Sequence, residues 1–136
     1  MKQAIRYFTK SKKGNTFKLA SAISIALNIE ALDVSHPLEE KVDTLFLVNA
    51  MYAATVDKEV KAFIEANKDK IGEIVNLNTA ASGASTLKAI KKAATKAGVK
   101  VSDKEFHCVG SWIFMNKGYP RKEDLESAQA FVKEFN

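Results

Sequence analysis

Leu45, Phe46, Leu47 and Val48 follow one another without a polar residue, inside a run over 44–50. Successive side chains of a strand point to opposite faces, so a strand with this pattern is buried on both. A central strand of a parallel sheet satisfies that demand, with helices covering the two faces. The rest of the chain is constrained by having to supply those helices and the neighbouring strands.

It does so in alternation. Ile5, Tyr7 and Phe8 mark a strand over 3–9, which ends in the polar cluster 9–15. After Gly14, Leu19, Ile23, Ala26 and Leu27 fall at i, i+4, i+7 and i+8, the stripe of a helix packed on a sheet. A short strand is expected over 30–34, followed by 35–42, which contains Pro37 and has room for no more than about a turn or two of helix. Val56, Val60, Phe63 and Ile64 repeat the helical stripe. A strand over 73–79 then leads into the small-residue loop 79–85. Leu87, Ile90 and Ala94 define the next helix, closed by Gly98, a residue suited to the left-handed conformation that ends helices. A fifth strand is expected over 105–111. Pro120 then precedes a last helix carrying Leu125, Ala128, Val132 and Phe135 on one face. The fold class is therefore α/β, a doubly wound five-stranded parallel sheet with right-handed crossovers.

A chain of 136 residues, 46% of them hydrophobic, encloses one substantial core, and no linker or internal repeat divides it. A single domain over 1–136 is expected. No apolar run reaches the eighteen residues of a membrane span, and the first eight residues lack the pattern of a secretory signal. A cytoplasmic protein without membrane association is expected. The single cysteine, Cys108, forms no intrachain disulfide and sits in an apolar stretch, where it reads as a reduced, buried thiol. His36 and His107 have no Cys or second His at metal-ligand spacing, and His107 lies in a strand beside Cys108, so neither a metal site nor a catalytic side chain is assigned, and His107 reads as structural.

The net charge of +5 suits anionic partners: phosphorylated cofactors, nucleic acid or acidic protein surfaces. Lys58, Lys61, Lys68, Lys88, Lys91, Lys92 and Lys96 recur at spacings of wet helix faces. Nucleic acid ranks last, because no aromatics interleave with the lysines and no helix-turn-helix, zinc or RNA-binding signature occurs.

In an open parallel sheet, ligands bind beyond the carboxyl ends of the strands, where the strand order reverses. The first such loop, Thr9-Lys10-Ser11-Lys12-Lys13-Gly14-Asn15-Thr16, places hydroxyls, lysines and a glycine before a helix, whose free N–H groups and positive dipole end suit a phosphate. The same residue types also form ordinary caps and turns, so the pattern alone leaves both readings open.

Taken with Tyr7, the residues Thr9, Ser11, Gly14, Asn15 and Thr16 make this loop similar to the phosphate loop of the flavodoxin-like family, particularly short bacterial flavodoxin domains. The resemblance continues through Asn49-Ala50-Met51-Tyr52-Ala53-Ala54 and Val56-Asp57-Lys58, which look like the family's second flavin loop. Phe106-His107-Cys108-Val109-Gly110, Asn116-Lys117-Gly118-Tyr119-Pro120 and Asp124-Leu125 resemble its last strand, loop and helix entry. The resemblance implies strand order 2-1-3-4-5 and noncovalently bound FMN serving electron transfer with a redox partner protein.

On that basis Thr9, Lys10, Ser11, Gly14, Asn15 and Thr16 would hold the phosphate. Ala50, Met51 and Tyr52 would flank the flavin ring, and Thr79, Ala80, Ala81 and Gly83 would supply backbone contacts to its edge. Met51 also reads as ordinary core packing, and Tyr52 as a partly exposed surface aromatic.

Three features depart from the family pattern. Lys12 and Lys13 form a two-residue insertion in the first loop. Alanines stand where the second loop is usually glycine-rich, and alanine resists positive φ angles. The chain is also basic, whereas electron-carrying flavodoxins are commonly acidic. The alternative reading is therefore a flavodoxin-fold module that has lost flavin and serves in binding or interaction.

Overall fold

The computed structural model describes residues 2–10, 14–53, 55–111 and 116–136. Its organising element is β3 (Val42–Ala50), where Leu45, Phe46, Leu47 and Val48 are fully buried, as a strand covered on both faces requires. Parallel to it run β1 (Gln3–Tyr7) on one side and β4 (Ile71–Ala80) on the other. The short β2 (Ala31–Asp33) forms the edge beyond β1.

Beyond β4 the fifth place in the sheet is shared by two pieces, β5 (Lys100–Val101) and β6 (Phe106–Val109), both parallel to β4. The order is thus 2-1-3-4-5 by sheet position, with six strand segments among the described residues. The expected fifth strand over 105–111 corresponds to β6. Its companion β5, only two residues long, is too short to leave a periodic signal. Between them the chain turns out, with Ser102 Oγ accepting from the Lys104 N–H at 3.1 Å and Asp103 paired to Lys91.

Strand alternation sorts the core into two layers. Leu45, Leu47 and Ile74 face α2 (Lys58–Ala66) and α3 (Leu87–Ala97), meeting Val60, Phe63, Ile64, Ile90 and Ala94. Phe46, Val48, Val75 and Leu77 face α1 (Asn15–Leu27) and α4 (Lys122–Lys133), meeting Leu19, Ile23, Ala128 and Val132. The helical stripes read from the sequence are the faces buried here. Asp57 caps α2 by accepting from the Glu59 N–H at 2.9 Å. Gly98 closes α3 at φ +77°, its N–H bonded to the carbonyls of Ala94 and Thr95.

The crossover from β2 to β3 contains no helix. A buried arginine on β1 stands in for one: Arg6 donates from Nε to the His36 carbonyl at 2.8 Å and from Nη2 to that of Pro37 at 3.1 Å. Burial lowers the pKa of this guanidinium, yet it remains charged at neutral pH. The Asn67 side chain completes the clamp, accepting from the Leu38 N–H at 2.9 Å and donating to the Phe63 carbonyl at 2.9 Å.

Candidate functional site

At the carboxyl ends of β1, β3, β4 and β6 lies a cleft of about 760 Å³. It sits where β1 and β3 send their following helices to opposite faces, the place at which a doubly wound sheet opens for a ligand.

The loop after β1 contributes Thr9 and Lys10; Ser11, Lys12 and Lys13 lie outside the described residues. Gly14 is the N-cap of α1, in extended conformation and with no side chain to cap the helix, and no acidic residue occupies the first turn. The opening N–H groups and the positive end of the helix dipole thus face the loop without a competing carboxylate. Asn15 and Thr16 line the cleft, while Gly14 does not. Asn15 already has partners across it: Nδ2 donates to the Ser111 carbonyl at 2.7 Å, and its Oδ1 accepts from Ser111 Oγ at 3.0 Å.

The last residue of β3, Ala50, and the loop after it, with Met51, Tyr52 and Ala53, form the next part of the wall. The Met51 N–H donates to the Thr79 carbonyl at 3.0 Å, extending the β3–β4 pairing to the cleft floor. Tyr52 and Thr55 exchange backbone hydrogen bonds of 2.7 and 3.0 Å, closing a tight turn in which Ala53 is held at φ +50°. An L-residue there is strained by roughly 1–2 kcal/mol relative to glycine. The Tyr52 ring meets Phe8 edge-on, with centroids 6.5 Å apart. Lys10 lies over its face, Nζ 4.3 Å from the centroid and 3.9 Å from Asp57 Oδ2. Burial raises the Tyr52 phenol pKa, opposed by a hydrogen bond to the Lys10 backbone. The aromatic surface of this loop therefore carries a cation–π lid in place of open solvent.

The end of β4 contributes Thr79 and Ala80, and the loop after it Ala81. Gly83 stands back from the cleft: at φ +78° it closes a turn onto the Ala80 carbonyl, and its own carbonyl lies 2.7 Å from His107 Nδ1. His107 thus ties β6 to the β4–α3 loop, a structural role.

Gly110 and Ser111, after β6, also line the cleft and were not among the expected site residues. A Cβ on Gly110 would sit 2.8 Å from Asn15 Nδ2 and 3.2 Å from Thr79 Cβ, so this glycine permits the last strand to close on the α1 N-terminus. The available signal was a glycine at the carboxyl end of a parallel strand. Asn116 then joins the last two loops, Nδ2 donating to the carbonyls of Ala81 at 2.8 Å and Gly110 at 3.3 Å.

Beneath the cleft lies a buried polar network that the strand pattern concealed. Asn49 and Asn76 point to the α2/α3 face, where Asn49 Nδ2 donates to Asn76 Oδ1 at 2.7 Å and Thr86 Oγ1 donates to Asn49 Oδ1 at 2.6 Å. Asn78 accepts from the Thr86 N–H at 3.0 Å and donates to the Ala84 carbonyl at 2.9 Å. The network fastens the β4–α3 loop to the ends of β3 and β4, which fixes the wall formed by Ala80 and Ala81.

No group of His, Cys, Asp and Glu among the described residues is arranged to hold a metal. Cys108 is buried, and desolvation pushes its thiol up to about 12, so it is protonated at neutral pH. No helix of the described residues is long and apolar enough to cross a membrane.

Solved structures share this architecture over nearly the full chain. A flavodoxin from the domain Archaea superposes with a TM-score of 0.73 at 14% identity, covering 98% of this chain and 95% of that one. A short-chain flavodoxin associated with a non-canonical PDU bacterial microcompartment gives 0.69 at 16% identity, covering 98% and 95%. Fusobacterium nucleatum flavodoxin bound to flavin mononucleotide gives 0.67 at 13% identity, covering 99% and 97%. No protein-family model matches the sequence, and no curated protein does.

Proposed function

We propose that this chain, which has the flavodoxin-like fold, binds FMN noncovalently in the cleft and serves in electron transfer. The observation that carries the reading is convergence: loops after β1, β3, β4 and β6 enclose one space that the uncapped N-terminus of α1 faces. Its volume of about 760 Å³ falls in the range of cofactor sites.

The donors fit the group. A phosphate dianion needs N–H donors and positive potential, which the start of α1, Thr16, Thr9 and Lys10 provide. Ser11 and Gly14 belong to the same proposed seat. A flavin ring needs flat or polarizable surface, which Tyr52 and Met51 provide, while the Ala50, Thr79, Ala80 and Ala81 backbone, with Gly83 behind it, forms the edge. FMN, when bound, accepts and releases the electrons, and the protein supplies position, shielding and charge. The F. nucleatum flavodoxin of the same fold binds flavin mononucleotide. The partner proposed is a redox protein, and the setting a soluble one.

The lid of Lys10 on Tyr52 favours the second reading, an interaction module without flavin, because flavin contact with that face requires Lys10 to leave it. Both readings are tested by titrating FMN while following its fluorescence and its absorbance bands. Quenching that saturates, with Tyr52→Leu weakening binding about fivefold, supports the flavoprotein, since an aromatic contact is worth about 1 kcal/mol. No quenching at millimolar flavin supports the module.

A further inference from the structure

A second concavity, of about 550 Å³, runs between α2 and α3 on the side of the sheet opposite α1 and α4. The half-buried Ala89 and Ala93 form its floor, and the exposed Lys61, Ala62, Lys92 and Lys96 its rim. Glu65 is the acid among these residues, and its carboxylate is held by Lys68 at 2.9 Å. On α3 itself Lys88, Lys92 and Lys96 stand at i, i+4 and i+8, and the helix contains no acidic residue. Such a row repels itself along the helix face. Lys91, on the neighbouring stripe, is paired with Asp103. Lys61, Lys88, Lys92 and Lys96 are exposed and have no acidic partner among the described residues.

We propose that this groove is the docking surface for an acidic segment of a partner protein. Unbalanced lysines on both walls call for carboxylates, and the alanine floor lets a partner backbone approach closely between them. The floor also argues for a polypeptide over a nucleic acid. Strand-tracking proteins stack bases on aromatic rings, and no aromatic residue among the described ones lines the groove. Thr55 lies at the end of the groove and pairs through its backbone with Tyr52, which lines the cleft. A segment seated here lies beside the cleft mouth, yet its binding depends on the lysines and does not require a filled cleft.

The test uses a fluorescein-labelled synthetic helical peptide with glutamates at i, i+4 spacing and leucines between, read by anisotropy on the full chain. Salt-sensitive binding is expected, weakened at least tenfold by the combined Lys61→Gln, Lys92→Gln and Lys96→Gln substitutions. The equally charged control, Lys104→Gln with Lys122→Gln and Lys133→Gln, is expected within twofold of the unsubstituted protein, with circular dichroism showing both variants folded. Amide shifts on peptide addition are expected on α2, α3 and Thr55. Absence of binding, or equal weakening in both variants, overturns the proposal. Displacement of the peptide by an oligothymidylate of equal charge at lower concentration overturns the choice of a protein partner. FMN titration of the same variants is unaffected by either result, so this proposal and the flavin reading fail separately.

Discussion

Cys108 shows how burial, helped by the nearby Asp124 carboxylate, decides the chemistry of a residue. Its thiol is pushed up to about 12 in the folded chain, chiefly by desolvation, while an unfolded thiol ionises near 8.5. The raised value means that the folded state keeps the proton which the unfolded state loses. The stabilisation is therefore full below about pH 8.5 and is lost as pH rises toward 12. Stability should fall more steeply with pH in the native sequence than in Cys108→Ala, by up to about 1.4 kcal/mol per pH unit between pH 9 and 11. Urea unfolding of both proteins across that range measures the difference; parallel curves would show that the thiol is hydrated. Ala53 is the opposite case, a residue strained by its place. Its φ of +50° shows that the turn beside the cleft is imposed by the Tyr52–Thr55 pairing, against the local preference of alanine.

At the scale of elements, the polar network of Asn49, Asn76, Asn78 and Thr86 holds the cleft wall to the sheet. Asn49→Ala removes the short acceptor of the Thr86 hydroxyl and the donor to Asn76, leaving the buried Thr86 hydroxyl proton and Asn76 Oδ1 only their long 3.4 Å contact with each other. A loss of about 2 kcal/mol is expected in urea unfolding, together with faster hydrogen exchange confined to the 80–86 loop. A loss under 0.5 kcal/mol would show that the loop is fixed by other contacts. The same network marks a limit of reading from sequence. Helices were legible because each has one apolar stripe, and β3 because its apolar run is unbroken. Asn76 and Asn78 sit in a strand whose pattern gives no sign that they are buried, since their partners come from Ala84 and Thr86 in the following loop. Arg6 was hidden in the same way, two of its acceptors being the carbonyls of His36 and Pro37, distant in the chain. The division of the fifth sheet position into β5 and β6 escaped because two residues carry no period.

For the whole molecule, topology brings chain-distant loops to one cleft. Thr9, Lys10, Asn15, Thr16, Ala50, Met51, Tyr52, Thr79, Ala80 and Ala81 meet there, which their positions at strand ends made legible. Gly110 and Ser111 were not, because their place depends on the close approach of β6 to α1 through Asn15. The molecule's basic charge is likewise unevenly placed, with the acid-free α3 forming one wall of the second groove. The proposed seating of a phosphate at the α1 N-terminus is isolated by calorimetric titration of the flavin-free protein with FMN and with riboflavin, which differ by that group. FMN binding at least a hundredfold tighter than riboflavin, weakening as salt rises, is the predicted result. Equal affinity for the two, or binding of neither, would contradict it.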